Sequence, residues 1–248
     1  MVRTTRHPLR VIPVLAVISL ISGAGLGQVS PGSVPKDAAG FHALGKKLLV
    51  KGDLKHATDA LDKAIELDPK RPGPYEDRGR AWLMRGDAKT AIANFDRAIV
   101  LNPSRAKTYD FRGRAWLANG DAKTAVVNFD KAILLDPKRI FAYNHRGRAW
   151  FALNDAKTAI ANFDKAIELN PKYAEAYDNR GLVLQKLGQL DKAIGDFSSA
   201  IGLDPGFAPA FRHRAEVRKA KGDTKGASED MQQADAILKK AAAKKKGG

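Results

Sequence analysis

Apolar residues along this chain return with the period of a helix. Ala91, Phe95, Ala98 and Ile99 fall at i, i+4, i+7 and i+8, and Tyr75, Gly79 and Trp82 fall at i, i+4 and i+7 on the segment before. Each stripe is the buried face of one helix. Between them stands Gly86-Asp87, a turn residue followed by an acid placed to cap the second helix and to favour its positive end. Gly120-Asp121, Asn154-Asp155 and Gly222-Asp223 stand at the equivalent points further along. The pattern predicts antiparallel helix pairs without strands.

The pairs recur every 34 residues, as Pro69, Pro103, Pro137, Pro171 and Pro205 show. Setting each proline at position 32 of a repeat divides the chain into 38–71, 72–105, 106–139, 140–173, 174–207 and 208–241. Position 8 is then Gly45, Gly79, Gly113, Gly147, Gly181 and finally Ala215, while position 24 is Leu61, Phe95, Phe129, Phe163, Phe197 and Met231. Alanine holds positions 20 and 27 in every repeat. A helix-interior glycine costs about 1 kcal/mol against alanine. Its return at one position implies helices too close for a larger side chain. The residues before the prolines (Asp68, Asn102, Asp136, Asn170, Asp204) are expected to cap the first helix of the next repeat.

At these residues the chain resembles the tetratricopeptide repeat family, whose motif spaces large residues, Gly, Ala, Phe, Ala and Pro over one such repeat. It departs from the motif where Leu before the glycine is replaced by Arg78, Arg112, Arg146 and Arg180, and where the last repeat has Ala215, Arg218 and Lys239. The second departure suits a terminal repeat whose outer face meets water. Pattern and resemblance together give an all-α fold, a right-handed α-solenoid of six 34-residue helix-turn-helix repeats. The resemblance also implies a concave surface lined by first helices, at positions 2, 5, 9 and 12, that holds a partner protein or peptide.

The ends are read separately. MVRTTRHPLR is basic, VIPVLAVISLI is apolar, and Ser22 and Ala24 are small residues two apart, the layout of a secretory signal cleaved after residue 24. The apolar run is about half of the roughly 20 residues that a membrane-spanning helix needs, so no span remains after removal. An exported protein is expected, periplasmic or extracellular if the host is bacterial. Residues 25–37 read as a linker and 242–248 as a Lys-rich disordered tail. The formal charge is +16, and loss of Arg3, Arg6 and Arg10 with the signal lowers it to +13, which favours anionic partners.

Catalytic chemistry finds no foothold. The chain has no cysteine, which removes disulfides, thiolate metal sites and thiol nucleophiles. GFHALGKK at residues 40–47 misses a phosphate-binding loop by one residue, with Lys47 where a magnesium-binding hydroxyl belongs, and Gly45 is a packing glycine of a helix. The histidines show neither HExxH nor a close ligand pair, and no GxSxG occurs. No catalytic, cofactor-binding or metal residues are assigned. Trp82, Trp116 and Trp150 hold the family's core-packing position 11.

Arginines mark the candidate surface. Position 9 holds Arg80, Arg114 and Arg148, and position 5 holds Glu76, Asp110, Asn144 and Asp178. Glu76 with Arg80 and Asp110 with Arg114 have the spacing of helix-surface ion pairs. The position-7 arginines are expected to pack in the seam and to pair with Asp96, Asp130 or Asp164. Asn144, His145 and Arg148 with Phe141 and Phe151 form the most binding-like cluster. The partner-binding set is therefore Arg80, Arg114, Phe141, Asn144, Arg148 and Phe151. It is expected to serve a non-enzymatic interaction scaffold. The competing expectation is electrostatic capture of an anionic polymer, envelope polysaccharide or nucleic acid, by the arginines and the lysine tail. Acids at position 5 argue against a clamp for a partner's terminal carboxylate. The pattern sets no oligomeric state.

Overall fold

The computed structural model describes residues 35–246. They form twelve helices, with no strand among the described residues. These are α1 (Ala38–Lys51), α2 (Leu54–Leu67), α3 (Pro72–Met84), α4 (Ala88–Leu101), α5 (Ala106–Ala118), α6 (Ala122–Leu135), α7 (Ile140–Ala152), α8 (Ala156–Leu169), α9 (Ala174–Lys186), α10 (Leu190–Leu203), α11 (Ala208–Ala220) and α12 (Thr224–Lys246). Odd and even helices pair in sequence, so each repeat is one helix-turn-helix of an α-solenoid type. The chain divides after Asn102 into two compact units, α1–α4 and α5–α12.

Turn chemistry inside each repeat follows the expected signals. Gly86, Gly120, Gly222 and also Asn154 adopt positive φ, and the next residue's carboxylate receives a backbone N–H of the second helix: Thr90 to Asp87, Thr124 to Asp121, Thr158 to Asp155, Gly226 to Asp223. Gln189 breaks the series and makes no side-chain cap.

Between repeats the expectation fails. Asp68, Asp136, Asn170 and Asp204 do not cap the following helix. They end the preceding one, and their side chains accept the N–H two residues on, from Lys70, Lys138, Lys172 and Gly206. The reason is the proline after them, which holds its predecessor in an extended conformation and occupies the second place of a tight turn. The next helix starts only beyond that turn, at Pro72, Ala106, Ile140, Ala174 or Ala208, without a side-chain cap.

The seam within a repeat is a ring seated on a glycine. A Cβ built on Gly79, Gly113, Gly147 or Gly181 would stand 2.6–2.7 Å from the ring of Phe95, Phe129, Phe163 or Phe197, and these rings are fully buried. Gly45 meets Leu61 in the same way, inside α1, and so is a packing glycine of a helix. Trp116 and Trp150 pack on the cluster of Ala125, Val126, Phe129 and Ala149.

The expected signal over 1–24 and most of the linker lie outside the described residues. No helix of the described residues is long and apolar enough to cross a membrane. At the other end α12 continues through Lys246, where the lysine content suggests a disordered tail. Alanine and lysine are strong helix formers and no breaker precedes Gly247, so the last helix runs on.

Candidate partner-binding face

Two arginine series separate here. Those at position 7 are clips in the seam. Arg146 donates through Nε to Asn162 at 2.7 Å and through Nη1 to Asp130 at 2.6 Å. Arg180 takes Asp196 with two nitrogens, at 2.7–2.8 Å, and Asp164 at 2.6 Å. Arg214 repeats the scheme with Asp230 and Ser198, and Arg78 with Asn94 and Asp62. Each therefore joins the second helix of its own repeat to that of the repeat before, while its guanidinium lies over the aromatic ring three residues earlier, Tyr75, Tyr143, Tyr177 or Phe211. The expected Arg146–Asp130 type of pair is present. The own-repeat partner, Asn162 or Asp196, was not anticipated.

Position 5 turns inward instead of facing a groove. Asp110 is buried and hydrogen-bonded to His145 Nδ1 and Arg139 Nη2, each at 2.8 Å. Asp178 holds His213 at 2.8 Å, Asn144 accepts from Asn179 at 3.0 Å, and in the first unit His42 holds Asp77 at 2.8 Å. All join residues 35 apart, position 5 of one repeat to position 6 of the next, and so lace adjacent first helices together. Burial alone would raise Asp110 and Asp77. The hydrogen bonds and charges of His145 and Arg139, and of His42 and Arg80, outweigh it and hold both carboxyls below their ordinary value. His213 is raised: burial works against its charge, and Asp178 overcomes this.

The expected Asp110–Arg114 surface pair therefore does not form, because Asp110 is spent on the clasp. Arg114 is exposed and lies 5.6 Å over the Phe111 ring. Arg148 is likewise exposed. Arg80, in the first unit, donates to Asp77 at 2.6 Å. Phe141 is 51% exposed and meets Tyr173 edge to face, with ring centroids 5.4 Å apart. Tyr173 is fixed by its hydroxyl, which donates to Glu175 at 2.9 Å and accepts from Asn144 at 3.2 Å. Asn144 itself is 0% exposed, so it supports the face from beneath. Phe151 packs on Ala159, Phe163 and Val183, with the Lys186 ammonium 5.1 Å from its ring. Of the set assigned from sequence, Arg114, Phe141 and Arg148 are thus displayed together on the second unit. Tyr173 and Glu175 complete that face; Tyr173 holds position 34, which varies between repeats and so carries no signal, while Glu175 holds position 2, one of the positions that the resemblance implies line the surface.

No group of acids and histidines among the described residues has the arrangement of a metal site. What the face can do is hold: a fixed aromatic platform beside positive charge.

Comparison with known proteins agrees with this architecture. Tetratricopeptide-repeat family profiles match residues 42–110, 147–188 and 174–207, and the chain belongs to the tetratricopeptide repeat family. Proteins of this family generally mediate protein–protein interactions, and some bind peptides. The structure of MamA is similar at 28% identity and TM-score 0.55, over 66% of this chain and 96% of that one. YrrB, described as a TPR protein with an unusual peptide-binding site, is 27% identical with TM-score 0.51, over 73% of this chain and 93% of its own. PilF of Pseudomonas aeruginosa shares 17% identity and a TM-score of 0.68, over 81% and 91%, which bears on the fold alone. No curated protein sequence matches the chain.

Proposed function

We propose that this protein is a non-enzymatic scaffold, exported through its N-terminal segment, that captures a protein or peptide on the first-helix face of its second unit. One observation carries the reading. Phe141 stands half out of the surface on a ring whose hydroxyl is locked, beside two exposed arginines, while the other polar side chains of that face are used in holding the helices together. Aromatic and arginine side chains most often dominate binding energy, at about 2 kcal/mol or more on truncation. The peptide-binding description of YrrB supports the same use of the fold.

Capture of a partner from the native envelope fraction tests it. Phe141→Ala and Arg148→Ala should each weaken capture at least about tenfold, close to 1.4 kcal/mol, with helicity and melting unchanged. Deleting the chain from Lys239 should matter little. Loss of capture on that deletion, with the face variants unaffected, would replace the scaffold by anionic-polymer binding. Mass spectrometry of the native protein should find a start near Gly25; a retained Met1 on a protein free in the cytoplasm would refute export.

A further inference from the structure

We propose that the occupant of this face is an extended acidic segment carrying an aromatic residue, its side-chain carboxylates meeting Arg114 and Arg148 and its ring packing on Phe141. The inference rests on the scaffold reading and adds the chemistry of the partner.

Charge is the first argument. Arg114 and Arg148 hold the same repeat position on α5 and α7, first helices that pack against each other in the second unit. Two acids that could neutralise them are committed elsewhere, Asp110 to Arg139 and His145 and Asp178 to His213, while Glu175, held by the Tyr173 hydroxyl and the Asn144 amide, keeps its charge at the edge of the aromatic pair. Arg114 and Arg148 therefore keep their charge toward solvent, because the position-5 carboxylates Asp110 and Asp178 are turned into the structure.

Shape is the second. Phe141 and Tyr173 form an edge-to-face pair, and Arg148 follows Phe141 by seven residues on α7, two turns along the same face of that helix. An incoming ring finds a fixed aromatic surface with an exposed cation two helical turns along. Packed helices lie about 8–10 Å apart, and an extended chain advances about 3.3 Å per residue. Two acids two or three residues apart then reach both arginines, with the aromatic residue nearby.

A sign change is the third. Position 9 is Arg114 and Arg148 on α5 and α7, then Leu182 on α9 and an exposed Glu216 on α11. A uniform polyanion laid along the second unit would meet that glutamate. A peptide acidic at one end and apolar or basic at the other would not be opposed.

Selection from a random extended-peptide library on the full chain, followed by titration of labelled peptides, tests the inference. The expected result is enrichment of peptides with two acids two or three residues apart and an aromatic residue. Their affinity should fall at least tenfold in Arg148→Gln and in Phe141→Ala, with circular dichroism unchanged, and fall again when the acids are replaced by glutamine. Enrichment of neutral or basic peptides that lose binding in Phe141→Ala would overturn the acidic occupant and leave the scaffold standing. Failure to enrich any peptide, or binding indifferent to every face variant, would overturn both. Polyglutamate binding as tightly as the selected peptides, unaffected by Phe141→Ala and steeply weakened by salt, would also refute the inference and favour polymer capture.

Discussion

Arg146 and Arg148 stand two residues apart on α7, and both belong to series that return every 34 residues. Arg146 is held at both ends of its guanidinium, by Asn162 and Asp130, and lies over Tyr143. Arg148 points to solvent. Repetition of a residue thus marks a shared place in the repeat without telling whether that place is seam or surface. The partners decide it. Position 7 is matched by Asn or Asp at position 23 and by Asp at position 25, which repeat in step. At position 9 of the second unit no acid repeats in step with Arg114 and Arg148, and Asp110, which could have served Arg114, turns inward to a histidine.

The seam side of this comparison should yield the largest effects on stability. Gly147→Leu drives carbon into the Phe163 ring, where a Cβ alone would stand at 2.7 Å, and should cost about 3 kcal/mol, the upper end for an overpacked core. Thermal unfolding followed by circular dichroism measures it, and an unchanged melting temperature would show that ring and glycine do not pack as described. Arg180→Ala comes next. It leaves Asp196 nearly buried without its two-point partner, and since the guanidinium is partly in water the cost should fall below that of a fully buried pair, to about 2 kcal/mol. A loss under about 0.5 kcal/mol would reduce the clip to an ordinary surface ion pair.

The inter-repeat clasps predict a smaller effect that depends on pH. His213 is held above its ordinary value of 6.5, so the stability it supplies is complete below that value and fades as pH rises through the raised pKa. Asp77 and Asp110 are held below 3.8, so theirs is complete above that value and fades as pH falls through the lowered pKa. The clasp contribution should be greatest between about pH 4 and pH 6.5. In His213→Gln the decline of melting temperature on the alkaline side should shrink. A decline of the same size would assign it to another group.

What the sequence made legible follows the same division. Period, helix pairs, glycine-on-ring seams and the Arg146–Asp130 type of clip were all readable because both partners of each contact recur at one spacing. The clasps were not. They join position 5 to position 6 of the following repeat, and position 6 changes from Asp77 to His145, Asn179 and His213, so no regular pattern announces them. Asn144 was read as a displayed donor for that reason and proves to be a buried support for Tyr173. The Asp-Pro and Asn-Pro pairs misled differently. An acid or amide before proline suits a helix cap and a tight turn equally, and only the backbone after the proline distinguishes them. The tail was marked from its charge alone, whereas α12 reaches Lys246 because alanine and lysine favour helix.

The most direct measurement sets Arg146→Gln beside Arg148→Gln, reading thermal melting and the affinity for one acidic aromatic peptide in both. Arg146→Gln leaves the buried Asn162 carbonyl without its donor and should cost about 1–2 kcal/mol, about 2–8 °C in melting temperature, with affinity at low temperature nearly unchanged. Arg148→Gln should leave melting within about 1 °C, as surface substitutions do, and weaken the peptide at least tenfold. The opposite pattern, a destabilised Arg148 variant that binds normally or an Arg146 variant that melts normally and fails to bind, would contradict the assignment of one series to the seam and the other to the partner.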